Sequence, residues 1–576
     1  MNKKRHLLVL VATLSMLLPG SRACTNFLFT KGATKDGSTF ITYAADSHTR
    51  YGQLRYHPAT DHQAGEMLRI YDYGSQRYLL SIPQPRHTYN VVGFINEYQF
   101  SMGETTFGGR KEIENGNKSG IDYGNLMYIA LQRARNCREA MEVMDELVTE
   151  YGYIGGGESF SLCDPDEVWI MEIIGKDDEK GAIWVARRVP DGYVCGHANQ
   201  ARITTFPQEK TKRDKGDKGK SISTKNIKNI FDKKVDCAYS SDIVEYARRK
   251  GWYSGSDADF SFADTYCPLT FSGLRACEAR VYSGFRRLNG DMDRYEAFAM
   301  GEPRAPRLPL WIKPDKQVDV HDVMQLMRDH FEGTPMDMTQ DVGAGPFHCP
   351  YRWRPMDWEY KGEKYIHERA ISTQQTGFSF VAQSRGWMPR KAGGIIWFGV
   401  DDTYSTVYCP MYCGLTQIPE CFREGNGSMS QWSETAAFWL FNQVSNFAYS
   451  RYDSMIVDIQ KVQHHLESNF IHNVSSSDDQ LAHLATGSYD TAFADRRLTG
   501  ELNRQSNLMA DQMMRAWRTL SHTLLMKYMD GNIKKMDGVN PATTETGVVR
   551  YPQQPPYPEW FYKTIVEDHG RVLRVK

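Results

Sequence analysis

The chain has 576 residues, with 69 Lys and Arg residues against 70 Asp and Glu residues, and 41% of its residues are apolar and 12% aromatic. This composition excludes a disordered chain and a basic nucleic-acid-binding protein. The mean hydropathy of −0.55 and a single apolar run near the start exclude a transporter or channel. We therefore expect a soluble body with a large core, no nucleic-acid partner and no stable membrane span.

The first 23 residues have the layout of a secretory signal peptide. Basic residues at positions 3–5 precede an apolar stretch over residues 7–18, and small residues stand at positions 21 and 23. The apolar stretch is shorter than the roughly 20 residues that a spanning helix needs. We expect cleavage after Ala23 and export to a periplasm or out of the cell, which makes Cys24 the first residue.

Export changes how the eleven cysteines are interpreted, because an oxidising compartment permits disulfide bonds. If Cys24 stands apart, ten cysteines remain, an even number that is compatible with bridges but indicates no pairing. Cys409 and Cys413 have no Cys or His partners at zinc-finger spacing, so we expect buried thiols or a disulfide there and no metal. We expect no cofactor anywhere in the chain.

Alternation and turn-forming residues predict a first half rich in antiparallel strands. The predicted strands are residues 25–30, 38–44, 90–96, 99–103, 158–163, 167–173 and 182–189, with turns at 35–37, 97–98 and 164–166. Apolar residues at helical spacing predict a helix over residues 123–148. Because strands and helices come in separate groups, we expect an α+β fold of stacked layers and not alternating parallel units.

The remaining segments predict packing elements and no chemistry. Residues 209–234 are Lys-rich and predict a solvated insertion, since position 214 is Asp where a phosphate-binding loop needs Gly. Residues 434–470 and 502–529 have helical periodicity, and the Pro-rich stretch 551–558 predicts an extended end. We expect a signal peptide at 1–23, a catalytic core at 24–430 and a helical C-terminal region at 431–576 packed on the core.

Cleavage after Ala23 gives Cys24 both a thiol and a free α-amine. An α-amine has an ordinary pKa near 8 and can accept the thiol proton, so one residue supplies nucleophile and base. Attack on an amide carbonyl then requires donors for the oxyanion, such as Asn side chains or backbone N–H groups. Two alternatives stay open: Cys24 is the acylated anchor of a surface lipoprotein that binds peptides or glycans, or it is a buried strand thiol.

A series of short motifs follows Cys24 in order along the chain. They are Ala23-Cys24-Thr25-Asn26-Phe27-Leu28-Phe29 and residues 36–39, 93–97, 157–160, 197–202, 344–347, 368–372, 383–385 and 397–399. Together they resemble the PepD-type cysteine dipeptidases, a family of N-terminal-nucleophile hydrolases related to penicillin V acylase and bile-salt hydrolase. The resemblance implies a four-layer αββα sandwich of two antiparallel sheets and hydrolysis of dipeptides through a thioester.

The resemblance also implies roles for five residues of this chain. It implies that Cys24 is the nucleophile and that Asp46 holds and orients its α-amine. It implies that Asn96 and Asn199 form the oxyanion hole, the first through its backbone and the second through its amide side chain. It implies that Arg280 is a basic residue that binds substrate.

One position departs from the family pattern. The family usually has Arg where this chain has Tyr43, so a positive charge expected beside the thiol is missing. We expect Arg50 or Arg280 to compensate for it, or the substrate preference to differ.

These inferences combine into one functional prediction. We expect an exported cysteine dipeptidase that acts on dipeptides or other small amides. An N-acyl amidohydrolase of the bile-salt or penicillin acylase type is the alternative that uses the same site, and the lipoprotein is the alternative of another class. A homo-oligomer is compatible with the sequence.

Overall fold

The computed structural model describes residues 23–114, 119–177, 179–211, 218–302, 304–352, 357–487 and 490–575, so residues 1–22 of the predicted signal peptide lie outside the described part. The strands are β1 (Ala23–Phe29), β2 (Thr39–Asp46), β3 (Tyr56–His57), β4 (Thr60–Asp61), β5 (Met67–Tyr71), β6 (Tyr78–Pro83), β7 (His87–Thr88), β8 (Val91–Val92), β9 (Ile95–Asn96), β10 (Ser101–Phe107), β11 (Gly157–Cys163), β12 (Val168–Gly175), β13 (Ala182–Arg188), β14 (Val194–His197), β15 (Lys220–Ser223), β16 (Val235–Tyr239), β17 (Trp311–Ile312), β18 (Asp357–Tyr360), β19 (Glu363–Ile366), β20 (Thr376–Ser384), β21 (Gly394–Val400), β22 (Cys409–Tyr412), β23 (Met536–Asp537) and β24 (Asn540–Pro541). The helices are α1 (Lys111–Glu114), α2 (Tyr123–Arg133), α3 (Cys137–Tyr151), α4 (Ile243–Arg249), α5 (Phe262–Tyr266), α6 (Ala279–Leu288), α7 (Glu296–Ala299), α8 (Val320–Leu326), α9 (Arg390–Gly393), α10 (Ala437–Ser450), α11 (Tyr452–Thr486), α12 (Thr491–Tyr528) and α13 (Glu559–His569).

Two large sheets contain most of these strands. One has seven strands in the order β17-β14-β1-β2-β20-β21-β22, and the other has nine in the order β15-β16-β13-β12-β11-β10-β9-β8-β3. Neighbouring strands run antiparallel, except that β15 and β16 are parallel. Strands β1 and β2 contact β10 and β11, so the strand that carries Cys24 lies where the two sheets meet.

The first hairpin forms as the sequence predicts. Gly37, with φ of 77°, occupies the left-handed region in the turn between β1 and β2. Asp36 Oδ1 accepts a hydrogen bond from the backbone N–H of Ser38 at 3.0 Å and closes the turn. The register pairs Cys24 with Ala45, and the preceding residue with Asp46, so the predicted nucleophile and the predicted acidic residue are neighbours on adjacent strands.

The nine-stranded sheet confirms three predicted strands and divides a fourth. The strands predicted near residues 158–163, 167–173 and 182–189 are β11, β12 and β13. The strand predicted over residues 90–96 is instead β8 and β9, because Gly93 turns the chain with φ of 59°.

Two predicted helices are also divided. The helix predicted over residues 123–148 is α2 and α3, because the Asn136 side chain accepts from the N–H groups of Arg138 and Glu139 and caps a new helix. The helix predicted over residues 434–470 is α10 and α11, which separate at Arg451, where φ is −153°.

The C-terminal helices pack on one another and on the seven-stranded sheet. Helices α11 and α12 contact each other and β22, and α10 contacts β21. Glu467 of α11 accepts from Arg328 Nη2 at 2.5 Å, and both side chains are buried. Within the residues described, we find no helix with the length and apolarity required to cross a membrane. The domain boundary at residue 430 stays a prediction.

The expectation for the Lys-rich segment needs correction. Residues 220–223 are not solvated insertion but β15, which lies at the edge of the nine-stranded sheet and has Ile222 buried. Residues 212–217 of that segment lie outside the described part. All eleven cysteines are in the described part and are free thiols, and Cys409 and Cys413 are buried, which is one of the two states expected for them.

Candidate active site

Cys24 is the second residue of β1 and only 4% exposed. Its Sγ lies 3.6 Å from Tyr43 Oη and 3.9 Å from Glu104 Oε1. The Tyr43 hydroxyl donates to the same Glu104 oxygen at 2.5 Å. The thiol, the phenol and the carboxylate therefore form one connected group between the two sheets.

The surroundings of Cys24 keep its thiol protonated. Burial raises the pKa of the thiol well above its usual value, and the carboxylates of Glu104 and Asp46 raise it further. Because the thiolate and not the thiol is the nucleophile, this cysteine needs a base that removes the proton during the reaction.

Asn199 holds the backbone nitrogen of Cys24. The backbone nitrogen of Cys24 donates to Asn199 Oδ1 at 2.9 Å. Asn199 adopts φ of 60°, in the left-handed region that Asn enters more readily than most residues. Its Nδ2 donates to the backbone carbonyl of Thr106 at 2.5 Å. The left-handed backbone conformation thus directs the Asn199 amide at the nitrogen of Cys24.

Arg280 lies on α6 and is fully buried. A guanidinium has five N–H groups, and all five have protein acceptors here. The acceptors are Cys24 O and Thr25 Oγ1 at 2.8 Å, Asn199 Oδ1 and Ala276 O at 2.9 Å, and Ala198 O at 3.3 Å. No N–H is left over for a substrate carboxylate, and the bonds of Arg280 connect Cys24 with Asn199 instead.

Asp46 is next to the nucleophile, as the sequence predicts. It is buried at the end of β2, and its Oδ1 accepts from Thr376 Oγ1 at 2.7 Å. Its effect on the Cys24 thiol pKa indicates that the two side chains are close enough to interact.

The donor groups of Asn96 are hydrogen-bonded to residues other than Cys24. Its side-chain nitrogen donates to the carbonyls of Leu131 and Ala134 at 2.8 and 2.7 Å, beyond the end of α2. Its backbone N–H donates to Phe100 O at 2.9 Å. Asn96 therefore ties the β9–β10 turn to a helix end, and the oxyanion role expected for it is not supported.

Three residues at the site were given no role by the sequence reasoning. Tyr43 was noted only as a departure from the family, and Glu104 and Arg369 were not singled out. Glu104 is detectable in principle, because Glu is depleted in strands and this one is in a strand of largely buried residues. Burial and the neighbouring Arg280 lower the pKa of Arg369 to about 10, and Asp46 opposes that shift. Arg369 thus adds a positive charge near Asp46.

A cavity elsewhere in the protein contains none of these residues. It has a volume of about 940 Å³ and is lined by residues that include Lys31 and Arg135. Lys31 pairs with Asp166 at 2.8 Å and Arg135 with Glu139 at 2.6 Å, so these cations are already neutralised. No group of His, Cys, Asp and Glu side chains in the described ranges is arranged to hold a metal ion.

Comparison with known proteins agrees with the resemblance seen in the motifs. The sequence profile of peptidase family C69 matches residues 77–465, more than half of the chain. Probable dipeptidase B of Streptococcus pyogenes serotype M1 is 23% identical over 508 residues, which cover 84% of this chain and 90% of that protein. The probable dipeptidase of Latilactobacillus sakei is 23% identical over 462 residues, 76% and 84% of the two chains. The probable dipeptidase of Salmonella dublin is 22% identical over 412 residues, 68% and 81% of the two chains. The chain therefore belongs to peptidase family C69, and it is a peptidase that hydrolyses peptide bonds.

Proposed function

We propose that this peptidase is an exported cysteine dipeptidase whose nucleophile is the Cys24 thiol. Removal of residues 1–23 during export frees the α-amine of the same residue. The observation that carries the proposal is the convergence on Cys24, where Asn199 holds the nitrogen and Arg280 holds the carbonyl oxygen. The relatives named probable dipeptidase support a dipeptide as the substrate.

The first half of the reaction forms a thioester. The α-amine of Cys24 takes the thiol proton, and the thiolate attacks the carbonyl carbon of the peptide bond. The tetrahedral intermediate then collapses, the C–N bond breaks, and the protonated amine gives its proton to the leaving amino group. The N-terminal amino acid stays bound to Sγ, and the C-terminal amino acid departs.

The second half hydrolyses the thioester. The same α-amine takes a proton from water, and the resulting hydroxide attacks the thioester carbonyl. The C–S bond breaks, the thiolate recovers the proton, and the N-terminal amino acid is released. One amine thus serves as base and acid in both halves, which removes the need for a separate histidine.

The surrounding residues have supporting roles in this proposal. The Asn199 side-chain amide is the proposed oxyanion donor, because its oxygen already holds the nitrogen of the nucleophile. Asp46 orients the α-amine from the adjacent strand. Arg280 hydrogen-bonds to both Cys24 and Asn199 and holds them in a fixed relative position. Asn96 has no part in the chemistry.

We also propose that the layers of this fold are the αββα sandwich of N-terminal-nucleophile hydrolases. Support comes from the contacts of β1 and β2 with β10 and β11, of α2 with β9 and β10, and of α10 and α12 with β21 and β22. In this assignment, the nucleophile lies between the two sheets.

The test compares a form that begins at Cys24 with a form that retains Ala23. We expect dipeptide hydrolysis only from the first, because a peptide bond at the Cys24 nitrogen abolishes its basicity. In that first form, Cys24→Ala should lose turnover by several orders of magnitude, whereas Cys195→Ala, which removes another buried thiol on the neighbouring strand β14, should retain it. Hydrolysis by Cys24→Ala would refute the proposal.

Export is tested on the protein purified from an exporting host. The mass of the N-terminal peptide should correspond to Cys24 with a free amine. A lipid-modified Cys24 would exclude catalysis by its thiol and amine and would favour the lipoprotein alternative.

A further inference from the structure

We propose that Glu104 forms an anionic subsite that binds the α-ammonium group of the substrate. This subsite makes the enzyme selective for peptides with a free N-terminus. The inference rests on the proposed function, because it takes Cys24 as the nucleophile.

The first argument is the distance from the nucleophile. In a dipeptide, the α-nitrogen is attached to the carbon next to the scissile carbonyl. Once Sγ bonds that carbonyl carbon, three covalent bonds separate sulfur from nitrogen and hold them roughly 3 to 4 Å apart. Glu104 Oε1 is 3.9 Å from Cys24 Sγ. An ammonium group whose Cα–N bond points toward Glu104 therefore comes within hydrogen-bonding range of this carboxylate.

The second argument is the bonding of the carboxylate itself. Glu104 is 96% buried, and its Oε1 accepts from Tyr43. Its Oε2 has no hydrogen-bond partner among the described residues. Leaving a buried carboxylate oxygen without a donor is costly. An ammonium group, with three N–H donors and a positive charge, supplies what this oxygen lacks.

Arg50, the neighbouring cation, does not hydrogen-bond to Glu104 Oε2. The Arg50 guanidinium stacks over the Tyr73 ring at 4.6 Å and donates to Tyr123 Oη at 3.3 Å. Its influence on Glu104 is electrostatic and acts at longer range. The positive charge of Arg50 therefore weakens the negative potential at the Glu104 carboxylate, but Arg50 does not hydrogen-bond to Oε2.

The third argument is that Glu104 is held in place. In the orientation that satisfies all its neighbours, the Asn26 amide accepts from the Glu104 N–H at 3.0 Å and donates to the Glu104 carbonyl at 3.2 Å. Asn26 reaches β10 because residue 103 is glycine, where a Cβ would lie 2.7 Å from the end of the Asn26 amide. The Asn26 side chain thus holds the backbone of Glu104 relative to the nucleophile on β1, and Tyr43 holds the carboxylate, as a preorganised subsite requires.

This subsite separates the two enzyme classes that the sequence left open. An N-acyl amide places an uncharged acyl group where the dipeptide has its ammonium, and the buried carboxylate then stays without a counter-charge. A second buried carboxylate, Glu158, also acts on Cys24 and adds to the negative field. The bound ammonium also offsets the negative charge that raises the pKa of the Cys24 thiol, so the correct substrate helps to activate its own nucleophile.

The test uses the form that begins at Cys24 and two substrates of nearly equal shape. Alanyl-alanine has the ammonium group, and propionyl-alanine has hydrogen in its place. We expect the wild type to prefer alanyl-alanine strongly in kcat/KM. In Glu104→Gln, kcat/KM for alanyl-alanine should fall about 10- to 100-fold, while that for propionyl-alanine should not fall. Tyr43→Phe removes the other partner of Oε1 but no charge, and it should retain the preference.

Two measurements keep the outcome interpretable. Alkylation of Cys24 by iodoacetamide and thermal unfolding report whether the variant site is intact. If Glu104→Gln does not fold, Glu104→Asp, which keeps the charge and shortens the side chain, should give an intermediate preference. A preference unchanged in Glu104→Gln, or an equal loss for both substrates, would overturn the inference. Failure of the wild type to hydrolyse alanyl-alanine would instead refute the proposed function.

Discussion

Replacement of Arg280 by Lys is expected to reduce both stability and turnover, because this side chain connects the nucleophile to Asn199. Arg280 donates all five of its N–H groups to buried protein acceptors. Lys has three N–H donors on one nitrogen. At least two of the five acceptors therefore lose their partner.

The size of both effects follows from this count of donors. Each buried acceptor left without a donor costs about 1 to 3 kcal/mol, so Arg280→Lys should lower the free energy of unfolding by about 2 to 6 kcal/mol. Turnover should fall by about 10²-fold, since a displacement of about 1 Å in a reacting group has that effect. Cys24 and Asn199 are the groups that lose their support.

Arg202→Lys is the matched control. Arg202 is also buried and bonds Glu278 at 3.0 Å and the carbonyls of Gly196, Pro309 and Leu310 at 2.7 to 3.2 Å, but none of its bonds involves Cys24 or Asn199. It should lose a similar amount of stability in urea unfolding and retain most of its kcat.

Full kcat in Arg280→Lys would refute the positioning role. An equal loss of kcat in both variants would also refute it, because it would attribute the loss to stability alone.

Three further predictions concern charge. Burial raises the pKa of Asp401 to about 7, so the stability it contributes is complete below pH 4 and is lost as pH rises through 7. Asp401→Asn should remove that loss, about 4 kcal/mol between those limits, and an unchanged pH dependence of urea unfolding would contradict this. Burial lowers the pKa of His197 to about 3, so the stability that neutral His197 contributes is complete above pH 6.5 and is lost as pH falls toward 3. His197→Gln should therefore make the free energy of unfolding less dependent on pH on the acid side. A dependence like that of the wild type would disprove the lowered pKa of His197. Asp46→Asn removes a carboxylate that raises the pKa of the Cys24 thiol, so the pH midpoint of Cys24 alkylation by iodoacetamide should move down, and a midpoint that stays or rises would exclude this interaction.

The strands of this fold were more predictable than its helix boundaries. The alternating residues of β11 to β13 and the turn at Gly37 fix local structure on their own. The division between α2 and α3 was also encoded, since Asn136 with Glu139 three residues later is a helix-start pattern, but the continuous apolar periodicity concealed it. Strand β15 was not predictable, because its place at a sheet edge depends on pairing with β16, which follows a 3₁₀ segment.

The site was predictable where a residue has unusual chemistry and not where it depends on packing. Cys24 was predicted as the nucleophile because the predicted cleavage after Ala23 would give one residue two functional groups. The role of Asn96 could not be decided from the sequence, because an Asn beside a turn serves the turn and a catalytic site equally well. The environment of Glu104 was invisible, because the contact between β1 and β10 joins residues 80 positions apart.

The position of Cys24 within β1 has a consequence for maturation. In the ladder between β1 and β2, one pair precedes that of Cys24 with Ala45, and the pairs of Thr25, Leu28 and Phe29 follow it. Trimming before Cys24 therefore shortens the strand by a single residue and leaves the rest of the ladder in place. In the proposed maturation, the cut changes the Cys24 nitrogen from an amide to an amine, and the ladder pairs from Cys24 onward do not depend on the residue removed.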